Sequence, residues 1–154
     1  MDDITFVPAL SYRDPKAALD WLAAAFGFEL TMAIDGPDGD ATQGHYEMGL
    51  EGRGRIMIGA EWNEWMRSPA SLDGHTTCSV HVDVAHDLDA HCERARAAGA
   101  TIVAEPSDQF YGDRVYRAAD LEGHHWTFSM HVRDVSREEA EAAINLPIFA
   151  TAWR

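Results

Sequence analysis

The chain has 154 residues, 46% apolar and 25% charged, the proportions of one globular domain and too few residues for two independent ones. Its 26 Asp and Glu against 12 Lys and Arg give a net charge of -14, a field that repels phosphate backbones and anionic lipid and so excludes nucleic acid and membrane surfaces as partners. The start, MDDITF, has no basic region followed by an apolar stretch, and Asp20 interrupts the richest apolar segment; neither signal peptide nor membrane span is expected, which places the chain in the cytoplasm.

A first strand is expected over Ile4 to Tyr12. Asp14 as N-cap and Pro15 at N1 then start a helix that stops at Gly27, with Leu19, Leu22 and Phe26 as its apolar stripe. Alternating, β-branched and aromatic runs predict strands near Glu29 to Ile34, Gln43 to Leu50 and Arg55 to Glu61, broken by turn compositions at 36–40 and 51–54. Trp62 and Trp65 follow in a segment with little regular pattern.

The second half repeats this plan. A strand over Thr76 to Val84 precedes a helix opened by Asp87 or Asp89 and closed at Gly99, with Leu88, Cys92 and Ala95 on one face. Strands are expected near Thr101 to Ala104, Arg114 to Ala118 and His125 to Val132. The offset is 73 residues at the N-caps and 72 at the terminal glycines, the mark of a duplicated β-α-β-β-β module and not of a solenoid. Module one takes 4–66 and module two 76–132. Ser136 and Glu139 form a capping box, and Pro147 lies beyond it, so a short C-terminal helix and tail occupy 136–154. Cys78 and Cys92, in no metal-binding spacing, read as two buried thiols in a reducing compartment.

Strand parity gives each sheet two characters. Cys78, Val80, Val82 and Val84 alternate with Thr77, Ser79, His81 and Asp83; Trp126, Phe128 and Met130 alternate with His125, Thr127, Ser129 and His131. The apolar face belongs under a helix. The other face, rich in Ser, Thr and His, is a poor solvent face, and two such sheets opposed would enclose a cavity.

Arg13-Asp14-Pro15 before the first helix, Gly27 after Phe26, the helix end Ala97-Ala98-Gly99-Ala100, and "YGDRVYRAADLEGHHWTF" from Tyr111 together resemble the vicinal oxygen chelate superfamily over about residues 4–132. That superfamily includes glyoxalase I, extradiol dioxygenases, fosfomycin-inactivating enzymes and bleomycin-resistance proteins, and the last motif is similar to its PhnB-like branch. The resemblance implies an α+β fold in which two paired modules form a cup-shaped mixed sheet, often sealed as a homodimer. In metal-using members, one position in each module's first strand and one in its last strand supply His, Gln or Glu. Here those positions carry Val7, Met57, Thr77 (Val80 in the ungapped register) and Thr127, none of them a ligand for a hard or borderline ion. No metal cofactor is therefore expected, and His124 takes a hydrogen-bonded role in its turn.

The cup is expected to be lined by His45, Glu47, Met57, Trp62, Trp65, Ser79, His81, Tyr111, His125 and Thr127, with Phe110 beside Tyr111 and Asp113 paired with Arg114 in the turn. The leading reading is a binder of a small organic molecule. Its rival is a lyase, isomerase or dioxygenase whose divalent ion has moved to His45, Glu47 and His81, with Glu61 carrying a proton. A third reading is a metal-free enzyme with His81 or His125 as general base. No Gly-x-Gly-x-x-Gly, Walker sequence, nucleophile elbow or His-Glu-x-x-His occurs, which excludes nucleotide-dependent and serine-hydrolase chemistry.

Overall fold

The computed structural model describes residues 6–153; the expected strand start at Ile4 and the last tail residue, Arg154, lie outside the described residues. Asp14 caps α1 (Pro15–Phe26) by accepting from the Ala17 amide at 3.1 Å. Gly27 ends it in the left-handed conformation at φ +76°, freeing its amide for the Ala23 carbonyl. The second helix, α2 (Leu88–Ala97), is capped by Asp87 through Ala90 at 3.0 Å, which settles the choice between Asp87 and Asp89. The third, α3 (Arg137–Ile144), has Ser136 as N-cap. Only half of its capping box forms, because Glu139 turns its carboxylate to Arg133.

The strands are β1 (Ala9–Tyr12), β2 (Glu29–Ile34), β3 (His45–Leu50), β4 (Arg53–Ala60), β5 (Ser79–Asp83), β6 (Thr101–Asp108), β7 (Asp113–Ala119) and β8 (His125–His131). They form two four-stranded mixed sheets of matching order, β1-β4-β3-β2 and β5-β8-β7-β6, with β1 parallel to β4 and β5 parallel to β8. The repeat seen in the sequence is thus a repeat of topology. β6 runs four residues further than expected, with two register breaks around Ala104 that absorb Pro106.

One apolar core serves both modules. Phe26 and Phe28 of module one pack on Trp126 and Phe128 of module two, with ring centroids 4.7 Å apart for Phe26 and Phe128 and 5.4 Å for Phe28 and Trp126. Leu22, Leu88, Cys92 and Tyr116 are fully buried around them. Each such side chain contributes about 1.5–3 kcal/mol by leaving water. Polar contacts fix the helices against one another: Arg94 of α2 donates to the Ala23 and Ala24 carbonyls at the C-terminus of α1, both at 2.8 Å. Cys92 is buried as expected, which pushes its thiol pKa up, whereas Cys78 lies exposed just before β5, where no helix covers it. No helix among the described residues is long and apolar enough to cross a membrane.

Candidate functional site

The face of the second sheet turned away from its helix carries three rows of side chains set by the strand register. The middle row runs His81, Thr127, Arg117 and Ala104 across β5, β8, β7 and β6. The row on one side brings Asp83, Ser129, Val115 and Ser107 together, and Ser129 donates to Asp83 at 2.6 Å. Over these rows lies a pocket of about 520 Å³, to which Gln109, Tyr111 and Asp113 add a wall from the β6–β7 turn. Arg117 forms no ion pair or hydrogen bond among the described residues, so its guanidinium is available to a guest. Asp113 is held by His131 at 3.0 Å. Burial, and then Asp113, raises the pKa of Tyr111, which keeps the phenol neutral and able to donate.

The corresponding face of the first sheet differs. Its rows are Ala9, Met57, Glu47 and Met32, then Ser11 beside Gly59. Glu47 is buried between His45 at 3.3 Å and Arg55 at 3.6 Å. Trp62 lies over Gly59, where a Cβ would come within 2.7 Å of the indole. Beneath it is a small pocket of about 60 Å³ touching His45 and Met57.

The expected lining residues therefore divide. His81, Tyr111 and Thr127 share the large pocket, and His45, Met57 and Trp62 share the small one. Ser79 and His125 sit on the outer row of the second sheet, Glu47 is enclosed by its ion pairs, and Trp65 is 76% exposed. The two polar faces do not close one cup that holds all these residues: His81 and Asp83 also border a cleft of about 400 Å³ with Phe28, Arg53 and Arg55 of module one, which His45, Met57 and Trp62 do not line. For the same reason His45 and Glu47 do not meet His81: they belong to different sheets, and no group of three His, Cys, Asp or Glu side chains among the described residues could hold a metal ion. The expected Asp113–Arg114 pair is also replaced, since β7 turns these neighbours to opposite faces. Arg114 reaches Asp89 at 3.0 Å and Asp108 at 2.7 Å instead.

The inherited metal positions can be matched through the parallel strand pairs. β1 sets Ala9 beside Met57, and β5 sets His81 beside Thr127, so the position equivalent to Val7 is Ser79, not Thr77 or Val80. The set becomes Val7, Met57, Ser79 and Thr127, still without imidazole or carboxylate, and it does not fit a divalent ion.

Of the two adjacent histidines at the start of β8, His124 is structural. Its ring donates to the Ser11 carbonyl at 2.8 Å, and its amide donates to Asp120 at 3.0 Å. Arg117, Gln109 and Ser107 were not anticipated as lining residues. For Arg117 the signal was present: in Asp113-Arg-Val-Tyr-Arg-Ala the buried Tyr116 and Ala118 fix the parity that leaves Arg117 outward.

A family model described as Glyoxalase/Bleomycin resistance protein/Dioxygenase superfamily matches residues 6–128. Protein Rv0887c of Mycobacterium tuberculosis (strain ATCC 25618 / H37Rv) is 34% identical over 142 residues, covering 90% of this chain and 81% of that protein. Among solved structures, TioX from Micromonospora sp. ML1 is 37% identical with a TM-score of 0.64, over 82% of this chain and 98% of that one. TnmS3, an antibiotic binding protein from Streptomyces sp. CB03234, shares the fold at a TM-score of 0.65 and 18% identity, over 85% and 97% of the two chains.

Proposed function

The chain belongs to the glyoxalase/bleomycin resistance protein/dioxygenase superfamily, and from that premise we propose that it binds a small organic molecule on the open face of its second sheet without a metal. The observation that carries this is the row His81, Thr127, Arg117 beneath a pocket of about 520 Å³, large enough for a drug-sized guest. An imidazole, a hydroxyl and a guanidinium with no partner among the described residues converge there, and together they suit a guest carrying hydrogen-bond acceptors. The neutral set Val7, Met57, Ser79 and Thr127 supports the metal-free mode. The antibiotic-binding description of TnmS3, which has this fold, supports an antibiotic-like small molecule as the guest.

The protein works as a homodimer in this reading. The first sheet and the segment that follows β4 leave Met32, Ile34, Trp62 and Trp65 exposed, apolar surface that a second copy would cover. The Gly112-Asp113-Arg114 turn and the Asp120 to Trp126 segment support a place in the PhnB-like branch. A thermal-shift screen of aromatic, acceptor-bearing molecules tests the proposal. Binding raises the midpoint of the native chain. His81→Trp, an exposed position, fills the pocket and abolishes the shift; an equal shift in that variant would remove the site from this face.

A further inference from the structure

The turn before β7 draws the C-terminal tail to the edge of the site. Gly112 sits at φ +103°, and a Cβ there would overlap the Arg133 carbonyl oxygen. The Val132 and Arg133 amides both donate to the Gly112 carbonyl, at 3.0 and 3.1 Å. The chain leaving β8 is thus pressed against the turn, and α3 follows beside it. Beyond α3 the tail folds back: the Ile148 amide donates to Glu141 at 2.8 Å, and the Trp153 indole donates to the Val135 carbonyl at 2.6 Å.

This folding creates a cleft of about 420 Å³ whose apolar lining comes from Phe110, Ile144, Ile148, Phe149 and Trp153. Tyr111 and Asp113 line this cleft and the polar pocket alike, so the two share a wall. Phe149 is 92% exposed and Phe110 38% exposed, apolar surface left uncovered at the mouth. The tail lies outside residues 6–128, the part matched by the family model, whereas Phe110, Tyr111 and Asp113 lie inside it, so the cleft joins the matched region to the segment that follows it.

We infer that the binding site has two compartments, and that the C-terminal tail builds the second, which takes the apolar body of the same molecule whose acceptor group rests against Arg117. The inference rests on the small-molecule reading above and names its ligand class: an amphipathic molecule with a flat apolar ring system joined to an acceptor or anionic group. A purely polar metabolite would leave the cleft wet. A purely apolar one would leave Arg117 desolvated and unpaired. Tyr111 and Asp113, common to both linings, set the two compartments side by side, near enough for one guest to reach from one into the other. The tail then sets which ring systems are accepted.

Anilinonaphthalene sulfonate has this chemistry and serves as the probe, titrated by fluorescence into the full chain and three variants at exposed positions, Arg117→Ala, Phe110→Ser and Phe149→Ser. The native chain binds one equivalent with blue-shifted emission. Phe110→Ser and Phe149→Ser each weaken binding about tenfold, the scale of one lost apolar anchor, and return the emission toward the red. Arg117→Ala weakens binding to a similar degree and leaves the emission colour unchanged. If only Arg117→Ala weakens binding, the second compartment is overturned and the small-molecule reading stands. If none of the three does, or if the native chain shows no saturable binding, both fall. If the Phe variants instead shift a dimer to monomer at unchanged probe affinity, the cleft is covered by a second copy and the inference is overturned.

Discussion

The Tyr12 hydroxyl donates to the Asp120 carboxylate at 2.7 Å, joining residues 108 positions apart and on different modules. The same carboxylate accepts from the Trp126 indole at 3.0 Å and from the Glu122 and His124 amides, also at 3.0 Å. Burial, and then Asp120, raises the Tyr12 pKa well above its ordinary value, so the phenol stays a donor. Glu122 adds a second clasp by accepting from the Arg13 and Asp14 amides and the Ser68 hydroxyl. Asp120→Ala leaves four buried donors without a partner and costs about 3–5 kcal/mol in urea-unfolding free energy. Tyr12→Phe, which removes one donor, costs about 1 kcal/mol.

His91 makes stability depend on pH. Its Nε2 donates to the Phe26 carbonyl at 3.0 Å, which leaves Nδ1 to accept from the Tyr116 hydroxyl at 2.7 Å, an arrangement that requires the neutral ring. Burial lowers its pKa from the ordinary 6.5. The unfolded chain therefore binds this proton more readily, and the contribution of His91 is fully present above pH 6.5 and lost as pH falls below it, until the folded-state pKa is passed. Unfolding free energy, measured from neutral pH down to about pH 5, should change less favourably in the native chain than in His91→Gln, which has no proton to take up there; His131, its pKa raised by Asp113 and then Asp134, acts in the opposite sense in both chains and cancels in the comparison.

Gly112→Ala should release the tail. The new methyl meets the Arg133 carbonyl oxygen and the residue is held at positive φ, so the crossing after β8 must open. Limited proteolysis should cut faster between 133 and 153 in the variant, with the core sheets still protected in hydrogen exchange.

The shared aromatic core predicts that the modules unfold together. Phe26→Ala, at a ring that touches Phe28, Trp126 and Phe128, should cost about 3–5 kcal/mol in a single transition. Two resolved transitions would show that the modules have separate cores.

The two modules were legible because their helix signals are local: Asp14, Pro15 and Gly27 act within a few residues of themselves, and their counterparts recur at Asp87 and Gly99. Strand faces were legible by parity, from His81 to Thr127. Which faces meet was not, because that depends on how Phe26 docks against Trp126, a contact spanning 100 positions. The separation of His45 and Glu47 from His81 follows from that docking. The role of Asp120 was hidden for a similar reason: an acidic residue in a turn motif reads as local until Tyr12 is brought to it. The tail cleft combines both difficulties, since Gly112 reads as a turn glycine and shows its second purpose only when the chain after β8 crosses it.

The most direct measurement is a calorimetric titration of anilinonaphthalene sulfonate, and of the strongest hit from the thermal screen, into protein held in chelator and then resupplied with manganese, iron, nickel or zinc. Metal-free binding on the second sheet predicts dissociation constants that agree within about twofold across all conditions and binding that vanishes in His81→Trp. Binding that appears only with one equivalent of metal, or that survives His81→Trp unchanged, would contradict it.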